Sequence, residues 1–369
     1  MSFCVVHADG TTAARTGILR TSHGEVRTPV FMPVGTQATV KTLSPQDLSS
    51  LEAEIILGNT YHLNIRPGTE IIRKAGGLHR FMAWDGPILT DSGGYQVFSL
   101  AKLRRITPDG VHFQSHVDGT ALFLGPVEAM RIQHDLGSDI AMAFDECTPY
   151  PATREEAESS LDLTLEWARV CLEQPRPAGQ LVFGIVQGGM HEDLRRRSAL
   201  ELIALGFDGY ALGGLSVGEP QTEMSRITRA TIPCLPEDRP RYLMGVGTPP
   251  QIVDAVSAGV DMFDCVLPTR VGRNGSAYTD RGMVQIKAGR FKDDFSPIAE
   301  SCTCYACRTF TRAYIRHLLN VNEILGLQLM TLHNVHYYIT LIKRIRAAIQ
   351  ENRFGAFRDQ FLKQYCLNP

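Results

Sequence analysis

The stretch Met262-Phe263-Asp264-Cys265-Val266-Leu267-Pro268-Thr269-Arg270 ends a series of short apolar segments in this chain, and it carries a carboxylate inside its own segment. Residues 262–266 are predicted to form a β-strand. Burial of Asp264 inside a strand costs free energy unless the carboxylate has a partner or a chemical task. Two interpretations follow: a structural ion pair with Arg270, or a nucleophile in a cleft beside Arg270 and Arg273 that acts on an anionic polymer.

Seven similar apolar segments precede this stretch, and each is followed by a polar or glycine-rich loop and then by an amphipathic helical pattern. The predicted strands are Thr28–Gly35, Glu54–Leu57, Ile88–Thr90, Ile140–Phe144, Leu181–Val186, Gly209–Leu212 and Arg241–Met244. Alternation of strands and helices indicates a parallel sheet with right-handed crossovers. About eight such units favour a (β/α)8 TIM barrel over an open doubly wound sheet, so the predicted fold class is α/β.

The alternation is interrupted after the third strand. Residues 111–117 and 121–124 flank Asp118-Gly119, a dipeptide that is typical of a two-residue hairpin turn. We therefore predict a small antiparallel insertion over residues 104–125. A second, zinc-binding insertion is expected after the eighth strand, over residues 270–335, and the whole chain is interpreted as a single barrel domain.

Composition limits the classes of protein that the chain can represent. It has 369 residues, of which 44% are hydrophobic and 21% charged, which is enough apolar material for a large core. The net charge is −2, so any nucleic acid must be bound by a local basic patch. Because we find neither a bilayer-spanning apolar run nor a signal peptide, we expect a cytoplasmic protein without a membrane partner.

Three of the nine cysteines crowd together, which argues against a disulfide framework and for a metal site in a reducing compartment. Cys302, Cys304, Cys307 and His333 are predicted to form a closed, structural zinc site of three thiolates and one imidazole. This site would pin the segment after the eighth strand to the following helix. His336 is a rival ligand, because on a helix it lies about one turn from His333.

The ends of the predicted strands carry the polar residues that suggest chemistry. Active sites of such barrels lie at the C-terminal ends of the strands. The groups found there are Asp91, Asp145, Gln187, Gly213-Gly214 and Asp264. Acidic and amide groups that are distant in sequence are therefore predicted to converge on one mouth of the barrel.

Several motifs match one known family when they are taken together. The motifs are DSGGYQ at 91–96, FDEC at 144–147, GIVQGG at 184–189, GGL at 213–215, and Phe263-Asp264 followed by Arg273-Asn274-Gly275. With the three cysteines and His333, they resemble the tRNA-guanine transglycosylases, specifically the bacterial homodimeric kind. One departure is Ser216, where bacterial members usually have Ala, whereas Val217 fits the bacterial pattern.

The resemblance implies an exchange reaction catalysed by a pentosyltransferase. Guanine at the wobble position of certain tRNAs is replaced by 7-aminomethyl-7-deazaguanine, a step towards queuosine. The implied partners are the anticodon loop of tRNA, the 7-deazaguanine base and a second copy of the chain. The implied fold is a (β/α)8 barrel with a zinc-binding insertion near its C-terminal end.

The roles of individual residues follow from this reaction. Cleavage of an N-glycosidic bond gives the ribose C1′ oxocarbenium character, which a carboxylate can trap covalently. We assign Asp264 as this nucleophile and Asp91 as the general acid/base. By analogy with the family, Asp145 binds the edge of the base, and Tyr95 and Met244 sandwich it after it flips out of the loop. The further substrate-binding candidates are Ser92, Gln187, Gly188, Gly214 and Leu215.

These candidates also have structural interpretations. Asp145 could be the ion-pair partner of an arginine, and Tyr95 and Met244 could belong to the core. Gly213-Gly214 and Gly245-Val246-Gly247 could be tight turns, or a phosphate cradle of the kind that barrels build after their late strands.

Positive charge is concentrated between Asp264 and the cysteines. The sequence VGRNG at 271–275 is predicted to be a glycine-rich loop, where Arg270 and Arg273 stand. Phosphate contacts position RNA and make its affinity dependent on salt. The RNA-binding candidates are Arg270, Arg273, Lys287 and Arg290.

Three other functions remain to be compared with this one. A barrel enzyme for a small phosphorylated sugar or a free nucleoside would use the late glycine-rich loops and need no basic face. A zinc-dependent hydrolase would need His-x-His after the first strand, where Phe31-Met32-Pro33 stands. A non-catalytic tRNA-binding subunit should have lost catalytic acids, whereas both Asp91 and Asp264 are present.

Overall fold

The computed structural model describes residues 2–100 and 104–366. The strands are β1 (Phe3–Ala8), β2 (Arg15–Thr21), β3 (Gly24–Thr28), β4 (Val30–Gly35), β5 (Ile56–Gly58), β6 (Ile88–Thr90), β7 (Arg104–Thr107), β8 (Gly110–Gln114), β9 (Ala121–Leu124), β10 (Ile140–Met142), β11 (Leu181–Val186), β12 (Gly209–Leu212), β13 (Arg241–Leu243), β14 (Met262–Cys265), β15 (Ser276–Thr279) and β16 (Gly282–Gln285).

The helices connect and cover these strands. They are α1 (Pro45–Ser50), α2 (Thr60–Ile65), α3 (Thr69–Lys74), α4 (Leu78–Met82), α5 (Gly94–Leu100), α6 (Pro126–Leu136), α7 (Arg154–Glu173), α8 (Glu192–Leu205), α9 (Gln221–Thr231), α10 (Pro249–Ser257), α11 (Leu267–Arg273), α12 (Tyr305–Thr309), α13 (Arg312–Asn320), α14 (Ile324–Gln350) and α15 (Phe354–Cys366). Within the described residues, none of these helices has the length and apolarity that a membrane crossing requires.

Eight parallel strands close into a barrel in the order β4, β5, β6, β10, β11, β12, β13 and β14, with β14 paired to β4. The predicted (β/α)8 barrel is therefore confirmed. Three predicted strands, at 88–90, 181–186 and 209–212, have the observed bounds, and the other five differ by one or two residues at one or both ends. These strands could be located because both faces of a barrel strand are buried, so each one reads as a continuous apolar run.

The strand β14 shows how the pleat directs the carboxylate of Asp264. Met262 packs with the side chains inside the barrel, whereas Phe263 and Cys265 pack against the surrounding helices. Because side chains alternate along a strand, Asp264 lies on the same side as Met262. It is two residues closer to the C-terminal end, so its carboxylate faces the mouth of the barrel.

The opposite end of the barrel is closed by an antiparallel sheet of β1, β2 and β3, which the sequence analysis did not predict. Phe3, Leu19 and Val26 from this sheet pack into the interior of the barrel. The sheet is tied down by Arg15, which contacts the carboxylate of Asp261 just before β14. The N-terminal strands thus act as a plug beneath the barrel.

The insertion after β6 is a three-stranded antiparallel sheet of β7, β8 and β9. The predicted two-residue turn at Asp118-Gly119 is wrong, because Gln114 pairs with Ala121 and a longer loop joins the two strands. The side chains of Ser115 and Asp118 accept hydrogen bonds from main-chain N–H groups inside this loop. These local bonds replace the ladder that a two-residue turn would have continued.

The predicted glycine-rich loop at 271–275 is also wrong, because residues 267–273 form helix α11. A Cβ atom on Gly272 would lie 3.2 Å from the Asn334 side chain and 3.2 Å from the main chain of Met330. Glycine is therefore needed where α11 packs closely against α14, and this tertiary contact outweighs its low helix propensity.

Candidate active site and metal centre

The carboxylate of Asp264 accepts two hydrogen bonds at the mouth of the barrel. The Tyr242 O–H donates to Oδ1 at 2.6 Å, and the Gly245 main-chain N–H donates to the same oxygen at 2.7 Å. Within residues 2–100 and 104–366, no arginine or lysine forms an ion pair with Asp264, so the structural pairing with Arg270 is wrong. The Gly245 N–H is occupied by the carboxylate, which argues against a phosphate cradle at this loop.

Asp91, directly after β6, is held by donors from the start of α2 and from α5. Its Oδ2 accepts from Asn59 Nδ2 at 2.5 Å and from Gln96 Nε2 at 3.2 Å, and its Oδ1 accepts from Thr60 N at 2.9 Å. The Thr60 hydroxyl also donates to the Asp91 carbonyl oxygen. The three donors to the carboxyl group are neutral, so they orient it without supplying a counter-charge.

Burial raises the pKa of both carboxyl groups, and Asp264 also affects the protonation of Asp91. Burial raises the pKa of Asp91 to about 7, and the negative charge of Asp264 adds to this shift. Burial also raises the pKa of Asp264, although the hydrogen bonds from Tyr242 and Gly245 oppose it. With a pKa of about 7, Asp91 can both hold and release a proton near neutral pH.

Asp145, which follows β10, makes two hydrogen bonds with side chains from neighbouring strand ends. Ser92 Oγ donates to its Oδ1 at 3.2 Å, and Gln187 Nε2 donates to its Oδ2 at 2.7 Å. Burial raises the pKa of Asp145 to about 6 although both bonds oppose the shift. Among the described residues it forms no ion pair with an arginine, so that interpretation is wrong.

The glycines beside these groups make room for the amide of Gln187. A Cβ on Gly213 would lie 2.6 Å from Gln187 Nε2, and one on Gly214 would lie 2.5 Å from Gln187 Oε1. Gly188 has a φ of +131°, and its Cβ would meet the main chain of Arg195 at 2.8 Å. Larger residues at Gly213 or Gly214 would displace the Gln187 side chain that bonds to Asp145, and one at Gly188 would collide with the start of α8.

The remaining base-binding candidates border the same mouth. Tyr95, at the start of α5, is 51% exposed, so the interpretation of Tyr95 as a core residue is wrong. Met244 is half-buried beside the apolar interior, and Leu215 is buried. Ser216 adopts a left-handed φ of 59°, and its Oγ donates to the Gly245 carbonyl at 3.4 Å, which links the ends of β12 and β13.

The three clustered cysteines and His333 lie around one point. His333 Nδ1 is 3.6 Å from the sulfurs of Cys302 and Cys304 and 3.3 Å from that of Cys307. A tetrahedral zinc ion with bonds of about 2.3 Å to sulfur and about 2.0 Å to nitrogen needs edges of about 3.5 Å between these atoms. The four side chains fit such an ion.

The rival ligand, His336, is less well placed. Its Nδ1 lies 3.5 Å from the sulfur of Cys302, and its Nε2 faces the Thr303 hydroxyl. His333 faces all three sulfurs, and its other nitrogen, Nε2, lies 2.9 Å from the Tyr278 carbonyl oxygen. A hydrogen bond of this kind fixes the tautomer that leaves Nδ1 free to bind a metal.

Comparison with known proteins identifies the family. A family profile described as queuine tRNA-ribosyltransferase matches residues 9–366. The chain is 56% identical to the queuine tRNA-ribosyltransferase of Pelotomaculum thermopropionicum over 365 residues, which cover 99% of both chains. It is 56% identical to that of Bacillus subtilis over 358 residues, which cover 97% of this chain and 94% of the relative. The chain belongs to the queuine tRNA-ribosyltransferase family.

This membership confirms the resemblance to the tRNA-guanine transglycosylases, and with it the assignment of the chain to a family of pentosyltransferase enzymes. The motifs at the strand ends were sufficient to predict this family. They did not predict the side chains that hold the carboxyl groups of those motifs in place. Asn59 and Thr60 follow a predicted strand, and their polarity at a strand end was an available signal. Tyr242 lies inside an apolar strand, and its hydroxyl group was the one sign in the sequence that it needs a hydrogen-bond partner.

The basic residues of this queuine tRNA-ribosyltransferase family member lie on α11 and on the segment after it. Arg270 is exposed, and Arg273 is half-buried with its Nε donating to the Thr269 carbonyl at 3.0 Å. Lys287 and Arg290 are both exposed. Because α11 begins just after β14, its arginines are fixed close to Asp264 by the helix and not by a loop.

Proposed function

We propose that this chain exchanges the wobble guanine of queuosine-type tRNAs for 7-aminomethyl-7-deazaguanine through a covalent ribosyl-aspartate intermediate. The observation that carries the proposal is the pair of acids at one mouth, the half-buried Asp264 and the buried Asp91, whose pKa is raised to about 7. Two displacements at the same carbon retain the anomeric configuration, which a base exchange in RNA requires.

In the first displacement, a carboxylate oxygen of Asp264 attacks the ribose C1′ while the bond from C1′ to the guanine nitrogen breaks. The bonding electrons leave with guanine, and Asp91 supplies the proton that neutralises the base. The Tyr242 O–H and the Gly245 N–H hold the attacking carboxylate in place. The product is a ribosyl ester of Asp264, with Asp91 now ionised.

In the second displacement, Asp91 takes a proton from the ring nitrogen of the incoming 7-deazaguanine. That nitrogen attacks C1′, and the ester bond to Asp264 breaks. Asp264 leaves as a carboxylate, so both acids return to their starting protonation states. The raised pKa of Asp91 suits this alternation, because a group that titrates near neutral pH can both give and take a proton.

Base recognition is assigned to the neighbouring strand ends. Asp145 would accept from the N–H groups of the guanine-like edge, and Gln187 and the Gly214 N–H would donate to its carbonyl oxygen. Tyr95 and Met244 would hold the flipped base between them, and the exposure of Tyr95 leaves its ring available for this. The other proposed contacts of the base are Ser92, Gly188 and Leu215.

The partner on the outside of the mouth is the anticodon loop of tRNA. Arg270, Arg273, Lys287 and Arg290 are proposed to contact its phosphates. If Lys287 and Arg290 are both changed to Gln, tRNA binding should weaken and its dependence on salt should flatten, which a binding titration at several salt concentrations would measure. If the dependence of tRNA affinity on salt concentration did not change, Lys287 and Arg290 would not belong to the RNA-binding surface.

The Cys302, Cys304, Cys307 and His333 cluster is proposed to hold one structural zinc ion. Four protein ligands leave no open position for water, so the ion would hold the segment between α11 and α14 and take no part in the reaction. We also propose a homodimer in the cytoplasm, in line with the family. The chain is proposed to be one barrel domain with insertions at 104–125 and 270–335.

A covalent trap tests the mechanism. The enzyme is incubated with tRNA that carries labelled guanine, and the mixture is separated on a denaturing gel. We expect an RNA–protein adduct and release of label with the native chain, and neither with Asp264→Asn. Asp238→Asn, which changes an exposed carboxylate, is the matched control. An adduct that persists in Asp264→Asn would show that another residue is the nucleophile.

A further inference from the structure

Arg195 on α8 is a fully buried cation that none of the assigned functions uses. Its side chain lies behind the loops that follow β11 and β12. Nε donates to the Gly189 carbonyl at 2.9 Å, and Nη1 donates to the Val186 carbonyl at 2.9 Å and to the Gly213 carbonyl at 2.7 Å. One guanidinium therefore joins the carbonyl ends of two neighbouring barrel strands.

This charge forms no direct ion pair among the described residues, although the charge of Glu219 acts on it from a distance, and its Nη2 has no hydrogen-bond acceptor there. Burial lowers the pKa of Arg195 to about 10, which reflects the cost of keeping the charge away from water. An unpaired buried cation destabilises the folded state. A residue retained at such a cost is expected to supply geometry that a neutral side chain cannot.

The carbonyls that Arg195 holds belong to peptides beside the base-binding candidates. Val186 and Gly189 flank Gln187-Gly188, and Gly213 precedes Gly214. In a trans peptide the C=O and the following N–H point in opposite directions. Holding the Gly213 oxygen towards Arg195 therefore turns the Gly214 N–H away from Arg195 and towards the Cys147 thiol, which follows Asp145 by two residues and accepts a hydrogen bond from this N–H.

The same contacts control the amide of Gln187. Its Nε2 donates to Asp145, while its Oε1 would be only 2.5 Å from a Cβ on Gly214. The spacing between the loops after β11 and β12 thus decides whether the Gln187 amide can reach Asp145 while it lies against Gly214. Arg195 sets that spacing from behind without reaching the mouth itself.

We propose that Arg195 is a positioning residue for the base pocket, where its guanidinium fork orients the Gly214 N–H and the Gln187 amide towards the carbonyl oxygen of the 7-deazaguanine base. The proposal rests on the function proposed above, because that function locates the base between these donors. Arg195 acts through the two loops and contacts neither the base nor the RNA.

The test compares Arg195→Met, Arg195→Lys and the native chain in steady-state exchange, with KM measured separately for the free base and for tRNA. Arg195→Met should lower kcat/KM for the base roughly 100-fold, because a small misplacement of binding groups is sufficient for such a loss. The KM for tRNA should stay unchanged. Arg195→Lys keeps the charge but not the planar fork, so its loss should be intermediate. Arg196→Met, on the exposed side of the same helix, is the control.

Two further measurements keep the outcomes distinct. Added guanidinium should restore base exchange in Arg195→Ala, because it can occupy the emptied space and bond to the same carbonyls. If Arg195→Met does not fold, Arg195→Lys with the two KM values decides the question. Equal increases in both KM values, or loss of thermal stability with unchanged base kinetics, would overturn the role. A native chain that incorporates no base would instead overturn the proposed function.

Discussion

The two ends of the barrel both bury carboxylates, but they surround them differently. At the N-terminal end, Asp261 accepts from Arg15 Nε at 3.0 Å and from Arg15 Nη2 at 2.6 Å, and also from the Arg241 main-chain N–H at 2.8 Å. At the C-terminal mouth, Asp264 accepts from the Tyr242 hydroxyl and the Gly245 N–H, and no cation among the described residues pairs with it. One acid is neutralised by a cation, and the other is held by neutral donors.

A second pair of acids gives the same contrast in protonation. Burial opposes the ionisation of Asp139 at the N-terminal end, but contacts from His79, His23 and the Ile88 N–H outweigh it and hold its pKa below the usual value. For Asp91 at the mouth, burial dominates and raises the pKa to about 7. The partners of a buried carboxyl group, more than its burial, separate a structural acid from a reactive one.

The largest effect on this comparison is expected for Asp91→Asn. Loss of a general acid/base should reduce exchange roughly 10²- to 10⁴-fold. The folded-state pKa of Asp91 is raised, so the native chain loses stability as pH rises from about 4 to about 7, and the Asn variant does not. The free energy of unfolding, measured with denaturant across this range, should shift in favour of the variant by a few kcal/mol, on the order expected for such a pKa change.

Asp139→Asn is the matched variant at the other end. The folded-state pKa of Asp139 is lowered, so its ionised form stabilises the native chain above the unfolded-state pKa, and this contribution is lost as pH falls. The cost of Asp139→Asn should therefore be greatest near neutral pH and shrink in acid. If the free energy of unfolding changed with pH in the same direction for Asp91→Asn and Asp139→Asn, the two ends of the barrel would not differ in the way described.

The next largest effect is expected for Asp261→Asn, which leaves Arg15 buried without its counter-charge. The free energy of unfolding should fall by about 3–5 kcal/mol, as for other broken buried pairs. Exchange activity per folded molecule should not change, because this end lies away from the mouth. Arg20→Met breaks an exposed pair with Glu25 and should cost only about 0–1 kcal/mol.

A smaller effect is expected for Tyr242→Phe, which keeps the packing but removes one hydrogen bond to Asp264. Loss of a bond to the ionised form raises the pKa of Asp264 further. The acid limb of the kcat/KM profile should therefore move up by about one to two pH units, the equivalent of one hydrogen bond to a charged group. Tyr210→Phe, whose ring packs among the side chains around the barrel, should leave the profile where it is.

The features that could be predicted from the sequence are those that depend on residues close together in the chain. Apolar runs that end in polar residues located the barrel strands, and the mouth followed because parallel strands end at one side. The strands β1 to β3 were missed because exposed side chains interrupt their apolar runs; β1, for example, leaves most of its side chains exposed or half-buried. Helix α11 was missed because Gly272 suggests a loop until its contact with α14 is known.

The supports of the candidate site could not be predicted for a different reason. Tyr242 and Asn59 matter because of what lies opposite them in space, and their sequence neighbours do not reveal it. The choice between His333 and His336 depended on packing, since both lie on one side of the same helix. Arg195 looks like any charged residue of a helix until its burial is seen.

Asn334, the residue after His333, connects the cysteine and histidine cluster to α11. Asn334 donates to the Pro268 and Ser276 carbonyls and accepts from the Tyr278 N–H, so it fastens α11 to the hairpin of β15 and β16. We expect any disturbance of the proposed zinc site to pass across one residue to the arginines of α11. A chain without the ion should therefore bind RNA more weakly, while Asp91 and Asp264, which are held at the ends of barrel strands, keep their positions.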